Sequence, residues 1–404
     1  MVPSNRHTSG RWPAVSYEEL PWQNRFEQGM ASRAQINKHR GPYDAAIPVE
    51  IAVQTLDLPP ETLAMSTDAA GEVARFDAEM GSEIAPFSAV LLRSESAASS
   101  QIENLSASAR AIAEAEIGEG SRPNARQILG NVAAMSAAVA LSDDLSADSI
   151  LAMHQALLGG VEPEIAGKWR EEPVWVGGSN LGPHGALFVP PRYERVPRLI
   201  NDLVHFIDRD DLPVLAHVAI AHAQFETIHP FPDGNGRTGR ALMHSMLRGK
   251  GLTRNVTVPV SAGLLVNLED YFDALTSYRD GDPEPIVQQV STASYAAIHN
   301  GRQLVEDLRA IQSDWRERVR ARRDAGAWRI AGLLVRHPVI NVGLVSDELG
   351  IAAPNVYRSI EPLVAADVLT SSSRQRDRVW RAQEVLAAVD AFAARSGRRP
   401  RTGR

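Results

Sequence analysis

The chain has 404 residues, of which 44% are hydrophobic, carries a net charge of -7 and contains no cysteine. A chain of that length buries a large core and is expected to form two or three domains. Its acidic balance excludes a protein that coats nucleic acid over its whole surface, leaving room only for a local basic patch, and the lack of cysteine excludes disulfides, thiolate metal sites and thiol nucleophiles.

Residues 1 to about 48 carry Pro3, Pro13, Pro21 and Pro42 among scattered aromatics, without sustained helical or strand period, and read as an irregular arm. The opening MVPSNRHTSGRWP lacks the charged-then-apolar pattern of a signal peptide, and no run of about 18 apolar residues marks a membrane span, so the expected location is the cytoplasm with no membrane partner. From Pro48 onward helix formers dominate, as in PPETLAMSTDAAGEVARFDAEM. In SSQIEN, residues 99–104, Ser99 and Glu103 stand one turn apart on an expected helix. The helical texture breaks at 173–191, PVWVGGSNLGPHGALFVPP, where Val174 to Val176 and Ala186 to Val189 flank a glycine-rich turn and predict a hairpin. Helices return in RVPRLINDLVHFI and LPVLAHVAIAHAQFETI, the second placing Leu215, Val218, His222 and Phe225 on one face.

Between that helix and the helical run ALMHSMLRGK lies HPFPDGNGRTGR, His229 to Arg240. Gly234 and Gly236 permit a sharp backbone turn, and the N–H groups that open the next helix form a positive pole for phosphate oxygens. Arg237 and Arg240 are three residues apart on one face and can converge on one polyphosphate. Asn235 adds an amide donor. Asp233 is a hard oxygen ligand of the kind Mg²⁺ accepts when phosphates supply its other ligands. His229, at the loop entrance, can take a proton from an attacking hydroxyl near neutral pH. These parts suffice for nucleotidyl or phosphoryl transfer.

The twelve positions resemble the signature of the Fic family: histidine, x, phenylalanine, x, acidic, glycine, asparagine, glycine, arginine, x, x, arginine. The resemblance implies a mostly α fold, a Fic helical core with a β-hairpin flap, and transfer of AMP from ATP to a Tyr, Thr or Ser hydroxyl of a target protein. It implies His229 as general base, Phe231 as the loop's anchor in the core and Asp233 as the Mg²⁺ ligand. Gly234, Asn235, Gly236, Arg237 and Arg240 would hold the phosphates, and Asn267 and Tyr271 of NLEDYFDALTSYRDGD would contact adenine. The hairpin would align the target by β-strand addition. Ser99, Glu103 and Asn104 resemble the family's inhibitory motif, in which Glu103 would pair with Arg240 and occupy the γ-phosphate position. Self-modification and a homodimer are further implications of the likeness.

After about residue 325, the helical segments WRIAGLLVRHP, LVSDELG and PNVYRSIEPLVAADVL precede TSSSRQRDRVWRA, with Gly350 at the turn before the third. This order resembles a winged helix, an α/β domain at 325–385 whose third helix, through Arg358, and wing, through Arg374, Arg376 and Arg378, are candidate DNA contacts. The expected division is an N-terminal arm and helical region over 1–89, a catalytic core over 90–300 with the inhibitory helix near 95–110, the winged helix, and a disordered basic tail over 395–404. Two other functions remain open: a DNA-binding transcription regulator whose core senses or modifies itself, and an enzyme that removes AMP with Glu103 positioning water.

Overall fold

A computed structural model of the chain describes residues 12–22, 32, 37–81, 84–120, 122–323, 325–371 and 378–397. It divides into two compact units, each assembled from separated stretches of sequence. One draws on described residues of 1–68, 137–249 and 269–291, and the other on 69–136, 250–268 and 292–404. The division is therefore not the sequential one expected at residue 90, which falls inside a helix.

The described part of the N-terminal arm carries two strands where an irregular segment was expected. Strands β1 (Ser16–Leu20) and β2 (Tyr43–Ile47) pair antiparallel, with Ser16 opposite Ile47 and Leu20 opposite Tyr43. Pro21, Pro42 and Pro48 bracket these strands instead of interrupting them. Five-residue strands joined across a long connection leave little local signal, because the partner that makes each one a strand is remote in sequence.

The described helices follow in chain order: α1 (Pro60–Gly81), α2 (Ile84–Ile102), α3 (Ala109–Glu116), α4 (Pro123–Ala140), α5 (Ala147–Leu158), α6 (Val196–Ile207), α7 (Val214–Ile228), α8 (Asn235–Gly249), α9 (Val260–Leu264), α10 (Leu268–Arg279) and α11 (Glu284–Arg318). Among the described residues no helix is long and apolar enough to cross a membrane.

In the first unit α7 is the central element. Every residue from Leu215 to Ile228 is buried, not one face alone, with α6 and α8 packed on it and α5 against α8. Ala and Gly allow the close approach: a Cβ at Gly239 of α8 would stand 2.9 Å from Phe225 Cδ1 and 3.0 Å from Glu226 Oε1 on α7. The predicted hairpin at 173–191 contains no regular strands; isolated bridges at Val176–Phe188 and Ser179–Gly182 hold it. It is braced against the arm, where Trp22 meets Trp175 edge-on and Ala46 N–H donates to Val189 O at 3.0 Å.

In the second unit α2 packs against α9 and against α12 (Gly326–Arg336). The C-terminal elements are then β3 (Val339–Ile340), α13 (Val342–Leu349), α14 (Ala353–Ala365), β4 (Thr370–Ser371), β5 (Trp380–Arg381) and α15 (Gln383–Arg395). The strands form a small antiparallel sheet in the order β3-β5-β4. Gly350 caps α13 in the left-handed region at φ 63, as its place before the third helix of the run requires. Helix α3 is built into this part of the molecule. Ala109 and Ala113 share an apolar cluster with Val339, Val379 and Leu386, Glu114 takes Arg381 at 2.9 Å, and Ala109 N–H donates to Asp390 at 3.0 Å. Arg395 ends a helix instead of opening a disordered tail; residues 398–404, with Arg374 and Arg376, lie outside the described residues.

Candidate active site

The loop from His229 to Asp233 joins α7 to α8, the helix–loop–helix arrangement expected from the sequence. His229 caps α7 in the left-handed region, φ 51 and ψ 62, and precedes Pro230. Both features are uncommon for a residue with a side chain. Its carbonyl accepts from Arg170 Nε at 2.8 Å. The imidazole is 19% exposed. Desolvation by the surrounding protein, helped by the Arg170 and Arg279 guanidinium groups, pushes its pKa down from 6.5 to about 3. His229 is therefore neutral at physiological pH, with a ring nitrogen able to accept a proton.

Phe231 is fully buried and anchors the loop as expected. It stacks on His154, with ring centroids 3.7 Å apart, and on Trp169 at 5.0 Å. His154 also fixes the loop's far end. Its Nδ1 accepts from Gly167 N–H at 3.0 Å, so Nε2 carries the proton and donates to Asp233 O at 3.0 Å. Burial holds its pKa down to about 4, which keeps that tautomer in place. Nothing in the sequence singles out His154, which resembles any histidine on an apolar helix face.

Gly234 adopts φ 77, and a Cβ there would stand 2.8 Å from Leu157 Cδ2. Its glycine thus serves both the turn and the close approach. Asn235 departs from the phosphate-donor role. Its Oδ1 accepts from Phe231 N–H at 2.8 Å and its Nδ2 donates to Phe231 O at 2.9 Å. The side chain clamps the loop, leaving the residue's backbone N–H for an anion. With Gly236 and Arg237 it forms the first turn of α8, whose N–H groups have no intrahelical acceptor.

Arg237 is 3% exposed. Its Nη2 meets Asp233 Oδ2 at 3.0 Å, while Nε and Nη1 are buried without a hydrogen-bond partner. Buried guanidinium donors left open in this way suit an anionic ligand such as a polyphosphate. Arg240, 1% exposed, lies one turn further along α8. Asp233 is 57% exposed and free to reach a ligand at the loop surface.

The remaining sequence candidates are placed differently. Tyr271 is 1% exposed, and its hydroxyl meets His222 Nε2 at 2.7 Å, so it is a core aromatic and not an exposed adenine platform. Asn267 is exposed at the end of a 3-10 turn, Leu265–Asn267. Helix α2 stops at Ile102, which interrupts the helix expected over 95–110. Glu103 and Asn104 lie in the following turn, with Asn104 at φ 61. Ser99 is buried and Glu103 exposed. The asparagine's short polar side chain tolerates the left-handed conformation that ends the helix. Arg358 is exposed on α14, beside Tyr357.

The family model described as Fic/DOC family matches residues 144–247, which contain the entire loop and the helices around it. That segment of the chain is similar to the Fic/DOC family. A protein adenylyltransferase, fic-1 of Caenorhabditis elegans, is 33% identical over 159 residues, covering 39% of this chain and 28% of that protein. Protein adenylyltransferase Fic of Drosophila melanogaster is 31% identical over 169 residues, or 41% of this chain and 32% of that one. The chain thus spans less than a third of these curated relatives. Among solved structures, a Fic family protein from Desulfovibrio desulfuricans G20 aligns with TM-score 0.52 at 20% identity, covering 81% of this chain and 97% of that one, which shows a shared fold.

Proposed function

We propose that this protein is a cytoplasmic protein adenylyltransferase, moving AMP from ATP to a Tyr, Thr or Ser hydroxyl of another protein or of its own chain. The observation that carries the reading is a neutral histidine at the mouth of a helix-N-terminal anion site that contains open guanidinium donors. In the step, the target oxygen bonds to the α-phosphorus as its proton passes to His229, and the bond from that phosphorus to the pyrophosphate oxygen breaks. The N–H groups of Asn235, Gly236 and Arg237, with the Arg237 and Arg240 guanidiniums, receive the phosphate charge. Phe231, His154 and Asn235 keep the loop rigid, so little reorganisation is needed as charge develops.

Among the described residues no group of three or more His, Asp or Glu could hold a metal by itself. The donor chemistry fits Mg²⁺ shared with substrate phosphates, with Asp233 as the protein ligand. The ion would neutralise charge on the departing pyrophosphate.

Glu103 is the proposed brake, a carboxylate that competes with the ATP γ-phosphate for Arg240 and that Asn104 holds at the end of α2. AMP removal would be a hydrolysis at the same site, with Glu103 positioning a water whose oxygen bonds to the phosphorus of the attached AMP as the bond to the target oxygen breaks, releasing AMP and the free hydroxyl. A regulatory role is supported by α3, which begins five residues after Asn104 and shares its apolar cluster with the C-terminal elements. The order helix, strand, helix, helix, strand, strand supports a winged-helix reading of those elements, with Arg358 facing solvent for DNA.

Wild type, Glu103→Gly and His229→Ala are incubated with α-labelled and with γ-labelled ATP, with and without Mg²⁺. Label from the α-position alone, strongest in Glu103→Gly and lost in His229→Ala, is the expected result. Label from the γ-position makes the protein a kinase, and equal labelling in all three removes both His229 and the brake.

A further inference from the structure

Arg170 lies outside the signature loop, yet its guanidinium donates four hydrogen bonds beside the catalytic histidine. It is 2% exposed. Its Nε donates to His229 O at 2.8 Å, and Nη2 donates to Pro191 O at 2.5 Å and to Ile228 O at 3.4 Å. Nη1 donates to Glu172 O at 3.3 Å, and the residue's own N–H donates to Pro230 O at 2.9 Å. These acceptors fall into two groups. Ile228, His229 and Pro230 are the last turn of α7 and the start of the loop; Glu172 immediately precedes the 173–191 hairpin and Pro191 ends it.

Two physical requirements converge on this side chain. The last carbonyls of α7 have no intrahelical donor and need one from elsewhere. His229 also holds a left-handed conformation before a proline, which costs on the order of 1–2 kcal/mol and persists only where surrounding contacts fix it. A planar fork with several fixed donors meets both needs, which a lysine ammonium does not. Burying the cation opposite carbonyl dipoles is itself costly, and it holds the Arg170 pKa down to about 10.

We infer that Arg170 is a positioning residue: it fixes the backbone of His229 in the left-handed conformation and fastens both ends of the hairpin to that same backbone. Resting on the AMP-transfer reading, this sets the proton acceptor and the segment that would align the target hydroxyl in one frame. Arg170 touches neither the first turn of α8 nor the Arg237 guanidinium through these bonds, so nucleotide binding and turnover should separate when it is replaced.

The test uses the full chain carrying Arg170→Met and, beside it, Arg170→Lys, which keeps charge and reach but not the fork. Three quantities are read: the single-turnover rate of labelling from α-labelled ATP, the ATP dissociation constant, and hydrogen exchange of peptides covering 226–233 and 240–249. For Arg170→Met the labelling rate falls by about a hundredfold, as expected for a misplaced catalytic group. ATP affinity is unchanged, and exchange accelerates over 226–233 but not over 240–249. Arg170→Lys shows the same pattern to a smaller degree and carries the test should Arg170→Met fold poorly. Exchange over 226–233 that stays at the wild-type rate overturns the inference, as does ATP affinity falling by the same factor as the rate, which marks a general loss of structure. If wild type transfers no AMP while exchange over 226–233 rises in the variants, the proposed reaction fails and the positioning role stands.

Discussion

Replacing Asn235 with alanine separates what its side chain does from what the loop signature suggests. In the structure its amide makes two buried hydrogen bonds to the backbone of Phe231, at 2.8 and 2.9 Å. Asn235→Ala removes both and strands the Phe231 N–H and carbonyl in a site where Phe231 itself is fully buried. Leaving a buried polar group unsatisfied costs about 1–3 kcal/mol, so the pair amounts to about 3 kcal/mol of stability. For a unit of about 200 residues that lowers the melting midpoint by about 6–12 °C. The assay is a thermal melt of the nucleotide-free protein, followed by an ATP titration. A large fall in the midpoint without nucleotide supports the clamp. An unchanged midpoint, with ATP affinity alone reduced, would refute the reasoning and return the side chain to the phosphates.

Gly239→Ala should force α7 and α8 apart, because the new methyl meets Phe225 and Glu226 at 2.9 and 3.0 Å; overpacking of this kind costs about 1–3 kcal/mol, read as a lower unfolding midpoint. Acid should destabilise the first unit, because His154, His222 and His229 have pKa values held down to about 4, 3 and 3. Unfolded histidines take up protons near pH 6.5 while the folded ones do not, so stability declines as pH falls from about 6.5 toward 4, by up to about 1.4 kcal/mol per pH unit for each histidine. A melting midpoint flat over that range contradicts the assigned neutral forms, and His154→Gln should flatten it in part. Arg358→Ala should weaken any duplex binding and reduce its salt dependence; binding that is absent in wild type, or indifferent to salt, removes the nucleic-acid role.

Loop chemistry was legible because it is local. Twelve consecutive residues carry the histidine, the glycines and the arginines, and the apolar helix before them with the helical run after them sets helix, loop and helix without any distant contact. Phe231 could likewise be placed in the core. The ends of elements were less legible: the helix expected through 110 stops at Ile102, because Asn104 turns left-handed, a choice that the helix formers on either side do not announce. Asn235 was misread because an amide beside glycines suits either a phosphate or a backbone, and only the position of Phe231 decides between them.

What the sequence by itself determined was the helical class, the glycine-rich loop between two helices and the residue types at its mouth, since these follow from short-range periodicity and spacing. Only the tertiary structure decided the rest. It brought Arg170 beneath His229 from 59 positions away and set His154 against Phe231 and Asp233. It also paired β1 with β2 across the arm and built α3 into the C-terminal elements. Each of these depends on side chains meeting across long stretches of chain, where burial removes water and leaves every donor and acceptor to find a partner within the fold.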